Sequence, residues 1–387
     1  MIRRRPETPL AVGILVGAIA LLLVVLRLAI ANDGDVSRFI VAGSQFTDPE
    51  LVEPHIYVLE NSAGYDGQFY WRLATSPTHL DIAEYNGSQI DAQFRVGRIG
   101  YPIVAWALSF GQADWVKWSL VLTNVIGMGV IAMSGASLAR TKGRPAILGV
   151  MLASSSGLLM SLSRDLTEVT MIAALTAGVA LMARRHYSWA AMCWAVACLT
   201  HEQALFCVAP YALYRVFTLV RRRDWVPRAV DAPWIASIAA FGVWQLIGRS
   251  IFGEFPVLTS SGATDIPFKG MYEQVKYWME NGIGRVEALV IPQLALLVTL
   301  VVLAFRSAKN LHEDDRWMRW ALIGAAFAAV SLSNLVWGGP ADLRQVVVVS
   351  VVAWLIIVAS GRRIPLVLVA ATGTVWILTA VGRTAVI

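Results

Sequence analysis

An all-α, polytopic membrane fold is what the sequence predicts. Three observations predict it: the composition, the length of the apolar runs, and the placement of the basic clusters. Of the 387 residues, 57% are hydrophobic and only 15% charged, with a mean hydropathy of +0.61. Soluble domains carry about 25% charged residues. Fifteen tryptophans suit a chain with many membrane–water interfaces. The net charge of +6 is dispersed in short clusters between apolar runs, which excludes a nucleic-acid-binding face. One integral domain over 1–387 fits this pattern better than several soluble ones. Cys193, Cys198 and Cys207 sit in apolar stretches without metal-ligand company and read as small buried thiols.

A spanning helix needs about 20 mostly apolar residues. Runs of that kind fall at 10–30, 116–139, 146–162, 168–183, 188–200, 204–220, 232–252, 286–305, 317–337, 345–360 and 364–382, giving about eleven transmembrane helices. The first run has a basic start, but it is longer than the 7–15 residues typical of a cleaved signal, so it reads as an uncleaved anchor. Basic clusters stand at Arg3, Arg4 and Arg5; at Arg140, Lys142 and Arg144; at Arg184 and Arg185; at Arg221, Arg222, Arg223 and Arg228; at Arg306, Lys309, Arg316 and Arg319; and at Arg362 and Arg363. With eleven spans and a cytoplasmic N-terminus, every cluster falls on the cytoplasmic side, as the positive-inside rule requires.

The apolar run 99–111 is too short to span and would invert every later loop if counted, so it reads as an interfacial helix. It belongs to a long first outer loop, 31–115. A second outer loop covers 253–285, with a polar tip at Thr259, Ser260, Ser261 and Gly262. The protein is thus expected in the inner or plasma membrane, with its functional face toward the periplasm or exterior.

That outer face gathers charges of both signs. Asp33, Asp35, Asp66, Asp165, Glu168, Glu202, Asp265 and Asp342 fall there, as do Arg95, Arg98, Arg164, His201, Arg249, Lys269, Arg285 and Arg344. Ionisable groups at membrane depth are costly and mark substrate paths. Asp165-x-x-Glu168 and Thr200-x-x-Gln203 have the form of helix capping boxes, which would account for those four residues without any function. Arg164, His201 and Glu202 are not explained that way. The run 188–200 is short for the slab, so His201 and Glu202 are expected in a water-filled cavity below the surface. Arg95 and Arg98, three apart, suit a phosphate because guanidinium groups bind its oxygens bidentately, although attachment to anionic headgroups is the plainer alternative. Arg344 lies in a helix-breaking loop, 337–344, where a snorkelling role competes with a functional one. Asp33 and Asp35 have a spacing that can hold a divalent cation, while a polar turn ending the first helix explains them as well. Phosphate-binding glycine loops, His-Glu-x-x-His and Gly-x-Ser-x-Gly are missing.

The segment 64–72 is the most telling. It sets Asp66 between Gly64 and Gly67 within a belt of aromatics. Glycine lets backbone come close to a ligand, and aromatics with polar tips settle at the headgroup level, so the carboxylate is expected to face that interface.

A first span, a long outer loop with an acidic residue, an interfacial helix and then many spans: this layout resembles the GT-C superfamily of membrane glycosyltransferases. The resemblance is nearest to bacterial membrane proteins linked to cell-surface glycopolymer formation. It rests on Tyr65-Asp66-Gly67-Gln68-Phe69-Tyr70, on Arg95-Val96-Gly97-Arg98-Ile99-Gly100-Tyr101-Pro102, and more weakly on Leu199-Thr200-His201-Glu202. The resemblance implies transfer of a sugar from a polyprenyl-phosphate donor to a glycan or lipid acceptor of the cell envelope. It implies Asp66 as the catalytic carboxylate, with Asp33 or Asp35 as substitutes. Arg95, Arg98, Arg344 and Arg164 would then bind the donor phosphate, and Tyr65, Gln68, Tyr70, His201 and Glu202 would hold substrate or support Asp66. Some members of the superfamily bind a divalent metal through a second acidic cluster, which has no convincing counterpart here beyond Asp33 and Asp35. Two other readings stand beside this one: a lipid or glycolipid transporter, and a non-catalytic scaffold of a polysaccharide assembly complex.

Overall fold

The computed structural model describes residues 8–223, 226–260, 264–284, 287–337 and 342–385. The expectations attached to Arg3, Arg4, Arg5, Ser261, Gly262, Arg285 and residues 338–341 lie outside the described residues, as does the side chain of Asp342. Among the described residues the regular structure is helical, apart from one short parallel pair, Ala42–Gly43 with Val58–Leu59, and a few isolated bridges.

In chain order the helices are α1 (Pro9–Ile30), α2 (Gly67–Thr75), α3 (Gly100–Leu108), α4 (Ala113–Thr141), α5 (Val150–Ala153), α6 (Ser156–Ser163), α7 (Glu168–Ala183) and α8 (Tyr187–Thr200). They continue with α9 (Leu205–Arg222), α10 (Ala232–Phe252), α11 (Lys269–Asn281), α12 (Val290–Ala308), α13 (Trp317–Val330), α14 (Asn334–Trp337), α15 (Val347–Ala359) and α16 (Leu366–Ala385). Among the described residues, five helical stretches are long and apolar enough to cross a membrane: Pro9–Ile30, Ala113–Thr141, Glu202–Arg222, Ala229–Phe252 and Val290–Ala308. A bent pair, Ala146–Ala153 with Ser156–Ser163, makes a sixth if taken as one span. Shorter apolar helices cover Glu168–Ala183, Tyr187–Thr200, Leu343–Ala359 and Leu366–Val381.

Two of the apolar runs are not the continuous helices expected from sequence. The run 146–162 bends by 64°. Ser154 turns its hydroxyl back onto the Val150 carbonyl at 2.8 Å, Ser155 is extended, and the Ser156 hydroxyl reaches Gln293 at 2.9 Å. A serine hydroxyl that bonds back in this way, as at Ser154, competes with the helical ladder and bends it. The run 317–337 breaks after Val330. There the backbone N–H of Asp265 donates to Ser331 O at 2.7 Å and that of Phe268 to Val330 O at 2.6 Å, with an antiparallel bridge between Thr264 and Leu332. The segment after α10 thus takes up carbonyls at the end of α13 that would otherwise be unsatisfied.

The helices pack around α15. Its sequence, VVVSVVAWLIIVA, is apolar on every side, and every residue in it is buried. A helix hydrophobic all round belongs in a core. Around it α4 packs on α1 and α7, α8 on α7 and α10, α9 on α13, and α12 on α15.

Contacts between loops define two ends. At one, Lys142 pairs with Asp315 at 2.5 Å, the Tyr214 hydroxyl donates to Glu313 O at 3.0 Å, and Arg144 donates to Ile357 O at 3.3 Å. This end carries the basic clusters that follow α4, α9, α12 and α15. The other end is roofed by the segment between α1 and α4. Within it, α3 buries Gly100, Tyr101, Pro102 and Ala105 and leaves Ile103, Trp106 and Leu108 exposed.

Candidate functional site

The site begins with the backbone around Asp66. Gly64 has a φ of +67°, a left-handed conformation that favours glycine. A Cβ on Gly67 would stand 2.6 Å from both Arg164 O and Ile40 O. The two glycines therefore serve close approach of the chain to itself, which corrects the expectation that they open the backbone to a ligand. The aromatic belt is corrected too: Phe69, Tyr70 and Trp71 are buried in the packed loop and do not lie at an exposed surface. Gln68 is fully buried and staples the loop. Its Oε1 accepts from Gly43 N at 3.1 Å and its Nε2 donates to Ala63 O at 2.7 Å, which removes it from any contact with substrate.

This scaffold fixes Asp66 at the start of α2, where its side chain makes no capping bond. Its Oδ2 instead bridges two guanidinium groups, Arg95 Nη1 at 2.9 Å and Arg344 Nη2 at 2.7 Å. Each arginine is held from its far side. Asp91 takes Arg95 bidentately through Nε and Nη2 at 3.1 and 3.2 Å. Glu168 pairs with Arg344 Nη1, and the Tyr65 hydroxyl lies 3.3 Å from Arg344 Nε. Glu168 is itself fully buried and accepts from the Ser161 hydroxyl at 2.8 Å. Burial alone would raise the Asp66 carboxyl, but the charges of Arg95, Arg344 and Arg98 outweigh it and hold the group well below the usual carboxylate range. Burial likewise favours neutral Arg95, and Asp66, Tyr70 and Asp91 together more than reverse that.

A second array lies alongside. Arg98 grips Glu202 bidentately, Nε to Oε2 at 3.1 Å and Nη2 to Oε1 at 2.6 Å, while its Nη1 donates to the Tyr70 hydroxyl at 3.2 Å. Phe94 lies beneath both Arg95 and Arg98, its ring centroid 4.4 and 5.0 Å from their guanidinium carbons. His201 is buried behind Glu202. Its Nδ1 lies 3.3 Å from both Gln203 N and Glu202 Oε2.

The two arrays share one cavity of about 500 Å³, within the range of small-molecule sites. Asp66, Arg95, Arg98, Glu202, Gln203, Arg344 and Gln345 are among its polar lining residues, and Phe206, Phe327, Leu332, Val336, Val348 and Val349 among its apolar ones. Segments at 66, 95–98, 202–206, 325–336 and 344–349 thus converge here from across the chain.

Of the residues singled out from sequence, Asp66, Arg95, Arg98, Glu202 and Arg344 line this cavity. His201 stands behind it and does not line it, contrary to expectation. Tyr70 acts on it only through Arg98. Arg164 is not among the lining residues; it stacks on the Tyr65 ring, 4.5 Å from its centroid, so its expected donor-phosphate contact is corrected to a support of Tyr65. Asp33 pairs with Arg38 at 2.7 Å, and Asp35 accepts from Ser37 N and Oγ at 2.8 and 2.7 Å. These carboxylates form the polar turn after α1, and no cluster of three or more potential metal ligands occurs among the described residues.

The capping boxes are corrected as well. Thr200 bonds back to Val196 O at 2.7 Å, and Asp165 has φ +48° with both carboxylate oxygens unbonded. Glu168 has its carboxylate on Arg344 and Ser161, so a cap was the wrong reading of a site residue. Asp91 escaped notice, although its place four residues before Arg95 is a recognisable pairing signal. The Gln203–Gln345 bond, at 2.9 Å, has no local signature. No family model and no curated protein matches the chain.

Proposed function

We propose that the protein is an inverting membrane glycosyltransferase that moves a sugar from a polyprenyl-phosphate donor to a cell-envelope glycan or lipid acceptor. The observation that carries this reading is Asp66 set between Arg95 and Arg344 in a cavity lined by both charged and apolar side chains. A polyprenyl phosphate has the same two-part character, an anionic head on an apolar chain.

In the reaction, Asp66 takes the proton of the acceptor hydroxyl. The acceptor oxygen forms a bond to the anomeric carbon, and the bond from that carbon to the phosphate oxygen breaks. Its electron pair leaves with the polyprenyl phosphate, and Arg95, Arg98 and Arg344 stabilise the charge that grows there. Glu202 holds Arg98 in place and offers an acceptor for sugar hydroxyls, while Tyr65 and Tyr70 orient Arg344 and Arg98. Asn in place of Asp66 should lower release of polyprenyl phosphate by about 10²–10⁴-fold while the protein stays folded. Unchanged turnover in Asp66→Asn would remove Asp66 as the base, whereas no release by wild type, with its cellular role kept in Asp66→Asn, would support the scaffold reading.

The topology proposed with this function has eleven spans, counting the bent pair once and adding α7, α8, α13, α15 and α16 to the five long stretches. The basic end is cytoplasmic and the cavity end is periplasmic or exterior. In a background with the native cysteines replaced, Lys269→Cys should react with an impermeant thiol reagent in intact cells and Arg222→Cys should not. The reverse pattern would overturn the orientation.

A further inference from the structure

We propose that Asp66 and the donor phosphate compete for the same two guanidinium groups, so that arrival of the phosphate releases Asp66 toward the acceptor. The inference rests on the donor assigned above and concerns how that donor engages the site.

Four features of the geometry support it. First, one carboxylate oxygen of Asp66 takes a hydrogen from both Arg95 and Arg344, the bridging position that a phosphate oxygen would occupy. Second, the two arginines do not depend on Asp66 for their placement. Asp91 grips Arg95 along its other edge, and Glu168 and Tyr65 hold Arg344. The pair of guanidiniums is therefore preorganised for whichever anion sits between them. Third, the Asp66 side chain is tied to nothing on its own helix, since α2 lacks a side-chain cap. Its backbone is locked at Gly64 and Gly67, so rotation about the side-chain bonds is the available motion. Fourth, Asp66, Arg95 and Arg344 all open onto the cavity, so an anion can reach the bridge from there.

The chemistry requires some such exchange. A carboxylate clamped by two guanidiniums is a weak base, because its proton affinity is suppressed by the charges that stabilise it. A phosphate that takes the guanidiniums removes that suppression at the moment the sugar is in place. The proton then moves from the acceptor hydroxyl to Asp66 and the negative charge of the leaving group stays on the arginines. Basicity is coupled to occupancy by the donor.

The test uses the full chain in phosphatidylcholine nanodiscs, with farnesyl phosphate as probe and farnesol as its uncharged control. Replacing Asp66 by Asn removes the competing charge. If the clamped arrangement dominates by about tenfold, Asp66→Asn should bind farnesyl phosphate about tenfold more tightly than wild type, with farnesol unchanged. Equal or weaker binding by a folded Asp66→Asn protein, with wild type still selecting farnesyl phosphate over farnesol, would overturn the competition and leave the donor assignment standing. If neither protein distinguishes farnesyl phosphate from farnesol, the donor assignment itself fails and the competition with it. Discs containing phosphatidylglycerol separate the donor from a bulk headgroup: loss of the Asp66→Asn gain there would identify the competing anion as ordinary lipid and overturn the proposal. Should Asp66→Asn not fold, a structure of wild type with farnesyl phosphate decides. The phosphate between Arg95 and Arg344 with Asp66 turned away supports the proposal, and Asp66 still bridging them overturns it.

Discussion

The two ends of the molecule are both rich in arginine, and they use it in opposite ways. At the cavity end the side chains of Arg95, Arg98 and Arg344 are only 11%, 8% and 6% exposed, and each is paired with at least one carboxylate from outside its own segment. At the basic end Arg221, Arg222 and Arg223 are exposed at the close of α9. Charge taken out of water must be paired, whereas charge left in water need only have the right sign. Sequence shows the sign at both ends equally, but only the structure shows that Arg95, Arg98 and Arg344 are buried and paired while Arg221, Arg222 and Arg223 are exposed.

The largest difference should appear on deletion. Arg344→Ala leaves the fully buried Glu168 without its counter-ion, a loss of about 3–5 kcal/mol in comparable buried pairs. Thermal unfolding in nanodiscs should therefore shift strongly downward. Arg222→Ala, made at an exposed position, should stay within about 0.5 kcal/mol of wild type. Similar shifts in the two variants would erase the distinction between the ends.

A smaller effect is expected when charge is kept and shape is changed. Arg98 makes a two-pronged contact with Glu202 and a third bond to Tyr70. Lysine cannot reproduce that fork. Loss of one fixed donor at the charge that grows on the leaving phosphate should lower turnover by about tenfold or more in Arg98→Lys. Arg222→Lys should be silent in the same assay. Wild-type turnover in Arg98→Lys would mean that this guanidinium supplies charge alone, as the exposed ones do.

The same contrast explains what could be read from the sequence. The apolar runs were legible because each is a local pattern, and so was the alternation of basic loops. Asp66, Arg98, Glu202 and Arg344 stood out because charge is rare near such runs. Glu168 did not, since a carboxylate three residues after an aspartate at a helix start looks like a cap wherever it occurs. Its partner is 176 residues away in sequence, and long-range pairing leaves no local trace. Gln68 shows the converse: its place in a conspicuous motif suggested substrate contact, yet its amide is spent inside the loop. The breaks at Ser154 and Ser331 were hidden inside runs whose hydropathy alone favoured continuous helices.

In the proposed function the donor's phosphate sits among the buried arginines with its chain against the apolar lining residues. Photocrosslinking with a polyprenyl phosphate carrying a diazirine on its isoprenoid chain tests it most directly. Labelled peptides are expected from the segments that supply Phe206, Phe327, Leu332 and Val349, with labelling suppressed by unlabelled polyprenyl phosphate and not by polyprenol. Labelling that maps to the basic end, or that polyprenol suppresses equally well, would contradict it.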